Sequence, residues 1–471
     1  MSLAWTYDLF AVDLETERRL LTVLLQLVVI IGCARLFAAL FQKLYQPAVV
    51  GEIAAGIVLG PSLLGRLAPE LSSMVFDPSV QPIFNVLSQI GLVFLLFLIG
   101  LEFDFSHLRW RGPAALCISV AGIALPFALG LMLGPLMHPY LERPVSQLGF
   151  TLFLGTALCI TAIPVLGRIM LELNIHRTRL GAITITAAAV DDACGWILLT
   201  AVASIVQAHF DVARLAVMVL STVAFVAALI LVVGPLFRGL ARKFLLTREG
   251  TVGLGGLSLT LLVMFACAAT TNKIGIFAVF GAFLFGAVLS PDQELASALR
   301  RPMWLLVSAF FLPIFFTYTG LRTDIGTLES PVLWGLCGVV SLAAIGGKLC
   351  GCSLAARLSG FSWRESCAIG AMMNTRALMA LIVINLGMDL GVITPSVFCM
   401  LVLMALLTTV MTTPLLLLVM RGTELEPYIA QSEFARRRGR ALARGSDTDR
   451  PAPSHAPPQA CPTVSRREHP K

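Results

Sequence analysis

The sequence predicts an all-α polytopic membrane protein with about thirteen transmembrane helices. Of its 471 residues, 57% are hydrophobic and only 13% are charged, whereas roughly a quarter of the residues in a soluble domain are charged. The mean hydropathy is +0.87. Apolar runs such as Leu20–Leu40, Ile83–Leu101 and Leu215–Leu236 each exceed the ~18–20 residues needed to cross about 30 Å of hydrocarbon.

Breaks between the apolar runs delimit the individual helices. They contain proline, glycine or clustered charges, as at Gly60-Pro61 and Thr394-Pro395, and such residues end helices. The predicted helices cover residues 18–41, 48–64, 83–102, 112–137, 148–171, 179–206, 212–237, 251–271, 274–290, 302–320, 331–357, 365–387 and 394–420.

Basic residues in the connections predict the orientation. Alternate connections are rich in Lys and Arg, such as the one with Arg238, Arg242 and Lys243, and the intervening ones hold mostly a single basic residue. By the positive-inside rule, the basic connections are cytoplasmic. An odd number of helices then makes residues 1–17 a short extracytoplasmic N-terminus, followed by a membrane domain over residues 18–420.

Residues 421–471 are polar and rich in Pro and Arg, with almost no aromatic side chains. Such a segment cannot bury enough surface to fold, so it predicts a disordered basic tail. Its basic run Arg436–Arg444 agrees with a cytoplasmic C-terminus. The expected location is a bacterial inner membrane, with lipid as the partner of the apolar surface.

No cofactor is expected. The eleven cysteines are scattered singly through apolar segments, and they form neither a Cys-x-x-Cys motif nor a zinc spacing with histidine. No Gly-x-Gly-x-x-Gly fingerprint follows the last helix, so no nucleotide-sensing domain is expected. The net charge of +7 is accounted for by the cytoplasmic connections and does not indicate nucleic-acid binding. Nothing in the chain predicts an enzyme.

Two adjacent carboxylates are expected close to the membrane midplane. Asp191 and Asp192 lie about a dozen residues into the predicted helix 179–206, which places them ~18–20 Å deep. Each aspartate costs about 2.5–3.5 kcal/mol at the bilayer centre. A cation, a proton or a basic partner must therefore compensate them. Neighbouring residues on a helix point ~100° apart, so the two can have different roles.

Lys348 is the candidate basic partner. It lies nine residues before Arg357 and so ~14 Å from the predicted cytoplasmic end of its helix. An ion pair with one aspartate would neutralise both charges at depth. Gly346, Gly347 and Gly351 would let another backbone approach closely.

Two predicted helices carry polar interruptions. In one, Thr161 precedes Pro164, and in the other Asn374, Thr375 and Arg376 interrupt an apolar run. Freed carbonyls and polar side chains at such breaks can line an ion site, and paired discontinuous helices are typical of transporters. The spacing fits two inverted five-helix repeats, the second to sixth and the ninth to thirteenth helices.

With these residues assembled, the chain resembles the second branch of the monovalent cation:proton antiporters, namely bacterial sodium or potassium/proton antiporters and plant cation/proton exchangers. The resemblance runs from about Pro47 to Val419. It rests on six stretches in order: QPAVVGEIAAGIVLGPSLLG, GLVFLLFLIGLEFD, ITAIPVLGRIMLEL, AAAVDDACGWILL, FFLPIFFTYTGLRTD and MNTRALMALIVINLG.

The resemblance implies the sodium/proton antiporter fold and a function for each polar residue at depth. Asp192 would bind the monovalent cation and the proton in competition, and Asp191 would pair with Lys348. The crossed breaks would contribute Thr161, Asn374 and Thr375 to cation binding, with Arg376 as a helix-dipole or pairing group. The family also implies a homodimer, in which a mobile core domain moves against a dimerisation domain.

One departure concerns the segment after Arg376. It reads ALMALIV, whereas plant relatives typically carry GLVELIV. Ala377 and Ala380 replace a glycine and an intramembrane acid, which bears on the cation preference. The expected substrate is sodium or potassium, because the choice depends on cavity size and dehydration.

Two alternative functions stay open. A sodium-coupled organic-anion symporter of the same fold would not need adjacent midplane aspartates with a lysine. A cation channel-like pathway predicts a continuous polar stripe, but the polar residues cluster at one depth. A third alternative, an intramembrane aspartyl protease, needs two catalytic aspartates on separate helices, usually in a Gly-x-Gly-Asp context, and that context is absent from the sequence.

Overall fold

The computed structural model describes most of the chain, with gaps in several connections and at both ends. It describes residues 4–44, 46–102, 112–173, 175, 178–207, 212–240, 252–275, 278–420, 423 and 425–427. The predicted tail lies almost entirely outside these residues, as do many of the basic residues used to predict the orientation.

Nineteen α-helices, α1 to α19, are present in the described residues. The first eleven are Ala4–Lys43, Ala48–Leu59, Leu64–Leu67, Pro69–Val75, Gln81–Glu102, Gly112–Met137, Gln147–Cys159, Ile163–Glu172, Arg179–Gln207, Val212–Ala228 and Gly234–Leu240. The remaining eight are Leu254–Ile274, Ala278–Leu289, Gln293–Leu306, Leu312–Leu321, Pro331–Leu358, Trp363–Met373, Ala377–Asp389 and Pro395–Val419. Single π-helical turns at Leu229–Val233 and Val307–Phe311 join α10 to α11 and α14 to α15.

Among the described residues, ten helical segments are long and apolar enough to cross a membrane. Three further predicted spans correspond to shorter apolar helices, Gln147–Cys159, Ala278–Leu289 and Met379–Asp389. The all-helical, membrane-spanning fold class is thereby confirmed, and the number thirteen stays a prediction. The first helix begins at Ala4 rather than near residue 18. The apolar span itself covers Thr16–Lys43 and so confirms the predicted membrane span, and residues 4–15 extend its helix toward the N-terminus.

Several helices begin where the local sequence satisfies their first backbone donors. The Ser330 hydroxyl accepts a hydrogen bond from the Leu333 N–H, and Pro331 occupies the first position of α16, where its missing N–H costs nothing. Ser362 and Glu365 form a reciprocal capping box at the start of α17. Each cap stabilises its helix by about 1 kcal/mol.

The helices form two bundles. The scaffold bundle contains α1, α2, α5 and α12 to α15, which pack mainly against one another. At the α2–α15 crossing, a Cβ on Gly320 would lie 2.8 Å from the Gly56 Cα. Glycine on both helices thus allows backbone contact, the kind of packing that holds helices together in lipid.

The core bundle contains α6 to α9 and α16 to α19, and α6 packs against α7, α9 and α16. The predicted close approach to α16 is confirmed at two glycines. A Cβ added at Gly351 would lie 2.7 Å from the Ala121 carbonyl oxygen, and one added at Gly347 would lie 3.0 Å from the Pro126 Cα. The predicted close approach is wrong at Gly346, where an added Cβ would meet no described atom within 4 Å.

Two broken helices cross inside the core bundle. The first break separates α7, ending at Cys159, from α8, beginning at Ile163, and the second separates α17 from α18. A backbone hydrogen bond of 2.8 Å joins them, donated by the Ala162 N–H to the Thr375 carbonyl. The breaks lie in corresponding positions of the two predicted repeats, so the crossed discontinuous helices are confirmed.

Candidate functional site

The two aspartates lie near the middle of α9, a 29-residue helix that begins at Arg179. Asp191 is 0% and Asp192 1% exposed. Because the peptide groups of a helix interior are already paired, the carboxylates must find partners from other elements. Their partners differ completely.

Asp191 is fully satisfied. The Lys348 ammonium donates to both of its carboxylate oxygens at 2.9 Å, and the Thr161 N–H donates to Oδ2 at 2.9 Å. The side chains of Lys348 and Asp191 are both 0% exposed. The predicted ion pair is therefore present, and it connects α9, α16 and the break after α7. Burying two charges is tolerable here because each carries hydrogen bonds to the other.

Asp192 has no such partner. Neither carboxylate oxygen accepts a hydrogen bond from any residue that the structure describes, and both oxygens are buried. An isolated ionised carboxylate in an apolar interior is strongly unfavourable. The group is stable at this depth only with a bound cation, a bound proton or ordered water. Its chemistry fits an alkali cation, which is bound by oxygen atoms.

The threonines of the two breaks bind the backbone. The Thr161 hydroxyl donates to the Met373 carbonyl at 3.1 Å, and the Thr375 hydroxyl donates to the Met372 carbonyl at 2.9 Å. A hydroxyl that donates one hydrogen bond keeps acceptor lone pairs for a cation. The Asn374 amide is buried, and neither of its polar atoms has a partner among the described residues.

Arg376 caps the first broken helix. Its buried guanidinium donates to the carbonyls of Ala157 and Leu158 in the last turn of α7, and to the Ala344 carbonyl at 2.6 Å. Those carbonyls of α7 lack intrahelical partners and carry the negative end of the helix dipole. This geometry agrees with the helix-dipole role that was one of the two predictions for Arg376.

The sequence analysis missed the threonines of α19. The Thr412 hydroxyl lies 3.3 Å from the Thr375 hydroxyl, so α19 contacts the second break. A signal was available, because Thr408, Thr409, Thr412 and Thr413 repeat at helical spacing within an apolar run. Of the two departures from the plant pattern, Ala380 is buried, and the side chain of Ala377 lies outside the described residues.

Within the described part of the chain, no group of three or more His, Cys, Asp or Glu side chains could hold a metal ion. The oxygen atoms just described are the candidate ligands of a transported cation, which is a substrate and not a resident metal. Carboxylate, hydroxyl and amide oxygens suit hard cations.

Comparisons with known proteins agree with this geometry. Residues 28–418 match the family described as "Sodium/hydrogen exchanger, transmembrane". The chain belongs to this family. It is 40% identical over 398 residues to the Na(+)/H(+) antiporter NhaS4 of Synechocystis sp., covering 84% of this chain and 96% of that protein.

Relatives of this family member also occur in eukaryotes. The chain is 38% identical over 397 residues to cation/H(+) antiporter 18 of Arabidopsis thaliana, covering 84% of this chain and 48% of the plant protein. It thus spans about half the length of that relative. Among solved structures, the sodium proton antiporter MjNhaP1 from Methanocaldococcus jannaschii has the same fold, with a TM-score of 0.54 at 14% identity. That likeness covers 88% of this chain and 100% of the archaeal one.

Proposed function

We propose that this integral membrane protein exchanges a monovalent cation, sodium or potassium, for protons by alternating access. The observation that carries the proposal is the pair of buried, unpartnered oxygens of Asp192. Antiport requires a group whose two ligands exclude each other, and a carboxylate that binds either a cation or a proton meets this requirement.

Asp192 is the shared site. Lone pairs on Thr161 and Thr375 and the amide oxygen of Asn374 complete the cation shell. Each of these oxygens belongs to a helix break, where backbone and side-chain oxygens are available to replace the ion's water. The family membership favours this reading over the symporter and channel alternatives.

Asp191 and Lys348 hold the site without binding the cation directly in the paired state. Their ion pair keeps α9 next to the break, because Asp191 also accepts from the Thr161 N–H. When the pair opens, Asp191 becomes a second carboxylate near the cation, and Lys348 becomes a second group able to exchange a proton. Two such groups allow more than one proton to move for each cation.

Alternating access follows from relative motion of the two bundles. The site lies entirely within the core bundle, and its ion pair and backbone bonds connect only core helices. The core can therefore carry the site as a rigid unit along the scaffold bundle, exposing it to one side of the membrane at a time.

Cation-driven proton movement in proteoliposomes tests the exchange activity. The purified protein is reconstituted with a pH-sensitive dye, and sodium, potassium and lithium chloride are added in turn. We expect dequenching with sodium or potassium, and its loss in Asp192→Asn. Asp77→Asn, the same substitution at an exposed turn, is the matched control and should keep wild-type exchange. Near-wild-type exchange in Asp192→Asn would contradict the proposed site.

We also propose a homodimer in a bacterial inner membrane, with the N-terminus outside and the C-terminus cytoplasmic. Arg35 lies within the span Thr16–Lys43; it pairs with Glu52 at 3.7 Å and donates to the Ser308 carbonyl, yet its side chain is still 48% exposed. A guanidinium at that depth is unfavourable against lipid, which favours a second copy over this face of α1. Native mass spectrometry of the detergent-solubilised protein tests the dimer, and a monomer would contradict it. A C-terminal reporter fusion tests the orientation, and an extracytoplasmic reporter would contradict it.

A further inference from the structure

Polar side chains join the two bundles at one end of the molecule. Arg322 directly follows α15 of the scaffold bundle, and its Nη2 lies 2.8 Å from Oδ1 of Asp389, the last residue of α18 in the core bundle. Its Nη1 donates to Asn385 Oδ1 at 3.2 Å. The Asn385 amide in turn donates to the Thr319 hydroxyl of α15 at 2.9 Å. Three hydrogen-bonded contacts therefore connect the end of α15 to α18.

Aromatic rings from both bundles enclose the guanidinium. The Arg322 Cζ lies 5.9 Å from the centroid of Tyr318 in the scaffold bundle and 5.6 Å from that of Phe398 in the core bundle. The Arg322 and Asp389 side chains are only 22% and 27% exposed. Partial desolvation and cation–π contact make such a pair stronger than a surface ion pair.

The same residues line a cavity between the bundles. It has a volume of about 360 Å³, enough for several waters. The scaffold bundle contributes polar groups to it, among them Asn85, Ser88, Gln89 and Asn272. Charged side chains make the contact between the bundles across this polar cavity. Water can hydrate these groups when they become exposed, so such a boundary is suited to opening.

We propose that Arg322, Asn385, Asp389 and Thr319 form a clasp that holds the two bundles closed at this end. The charge distribution predicts that the end is extracytoplasmic. Each of the three contacts has one partner on the scaffold bundle and one on the core bundle, so the core cannot move along the scaffold without breaking all three. Arg322 and Asp389 are positioning residues, because they set the populations of the transport states and do not touch the cation. This inference rests on the proposed exchange activity.

Transport kinetics measured separately from each side of the membrane distinguish a clasp from a merely structural contact. Arg322→Gln and Asp389→Asn remove the ion pair from either partner and stabilise the extracytoplasmically open state relative to the closed one. A ligand's apparent affinity scales with the population of the competent state. We expect the half-saturating cation concentration to fall by up to about fivefold when cation is added from the extracytoplasmic side. It should not fall when cation is added from the cytoplasmic side.

The matched control is Arg66→Gln. Arg66 lies 3.9 Å from Asp324, and this exposed ion pair at the same end joins α3 to the connection between α15 and α16 rather than α15 to α18. The control should leave both half-saturating concentrations unchanged. Equal changes on the two sides in the clasp variants, or none, would overturn the proposal. If Arg322→Gln does not fold, Asp389→Asn tests the same contact from the other partner.

A second measurement does not depend on transport. Leu92 lines the cavity and is 4% exposed, so a cysteine there should react slowly with a membrane-impermeant maleimide. In Leu92→Cys combined with Asp389→Asn, we expect labelling from the extracytoplasmic side to accelerate by about fivefold, as quantified for that peptide by mass spectrometry. Unchanged labelling would overturn the clasp even if exchange proceeds. Faster labelling in a protein that performs no exchange would instead count against the proposed function alone.

Discussion

The buried ion pair makes a quantitative prediction about stability. In Lys348→Ala, Asp191 loses two of its three hydrogen bonds and is left as a carboxylate at 0% exposure. Removing one partner of a buried ion pair costs about 3–5 kcal/mol. We therefore expect Lys348→Ala to lower the melting temperature by about 5–10 °C.

A second variant, Asp191→Asn, removes the charge of the other partner in the ion pair. In Asp191→Asn, the amide oxygen can still accept from the Thr161 N–H, but Lys348 is left buried and unpaired. The double variant has no buried charge at this position, so it should be more stable than Lys348→Ala alone. Thermal unfolding of all four proteins in one detergent gives the coupling energy, which we expect to exceed about 2 kcal/mol.

Additive effects would refute the reasoning. If the melting-temperature changes of the single variants sum to that of the double variant, the two residues are not energetic partners. The ion pair between α9 and α16 would then not contribute to the stability of the folded protein. Thr186→Val offers a control on α9, because the Thr186 hydroxyl donates to the Ala182 carbonyl of its own helix and should not couple to Lys348.

Three further predictions follow from the same geometry. Transport should be electrogenic if both aspartates change their ligands in each cycle, and a membrane potential then acts with up to ~2.3 kcal/mol per charge per 100 mV. An exchange rate that does not respond to a valinomycin-clamped potential would contradict this. Gly351→Leu should lower expression and melting temperature because of its contact with Ala121, whereas Gly346→Leu should be tolerated, and a reversed order would be inconsistent with the α6–α16 packing. Thr412→Val should raise the half-saturating cation concentration by roughly fivefold, because the Thr375 hydroxyl shares its one proton between the Met372 carbonyl and the Thr412 hydroxyl and would lose a partner worth about 1 kcal/mol. Unchanged cation dependence would show that α19 does not support the site.

Physical constraints on charge in a membrane explain what could be predicted from the sequence. An ion pair between Lys348 and one of the two aspartates was recognisable because each charge is costly alone at that depth, and the resemblance to the antiporter family selected Asp191. The breaks at Thr161 and Asn374 were recognisable because polar groups interrupt apolar runs in two places. In each case a local pattern implied a long-range contact.

Other features left no such pattern. Arg322 and Asp389 lie 67 residues apart at helix ends, where charged residues are ordinary and require no partner. Asp192 is conspicuous in the sequence for its depth, but its lack of hydrogen bonds is a property of the packing around it. The predicted membrane span is confirmed at Thr16–Lys43, but the extension of its helix to Ala4 was not predicted, because Asp8, Asp13 and Glu15 interrupt the apolar signal.

Competition between cation and proton at Asp192 can be measured directly. Cation affinity of the solubilised protein is determined by titration calorimetry over a series of pH values, together with the protons released in weak buffer. Competition at Asp192 predicts that, below the carboxyl's apparent pKa, the apparent dissociation constant rises at least about tenfold per unit of acidification, with at least one proton released per cation and more than one where Lys348 also releases its proton. Asp192→Asn should show neither binding nor release. Cation binding that releases no proton and is independent of pH in the wild type would contradict the account.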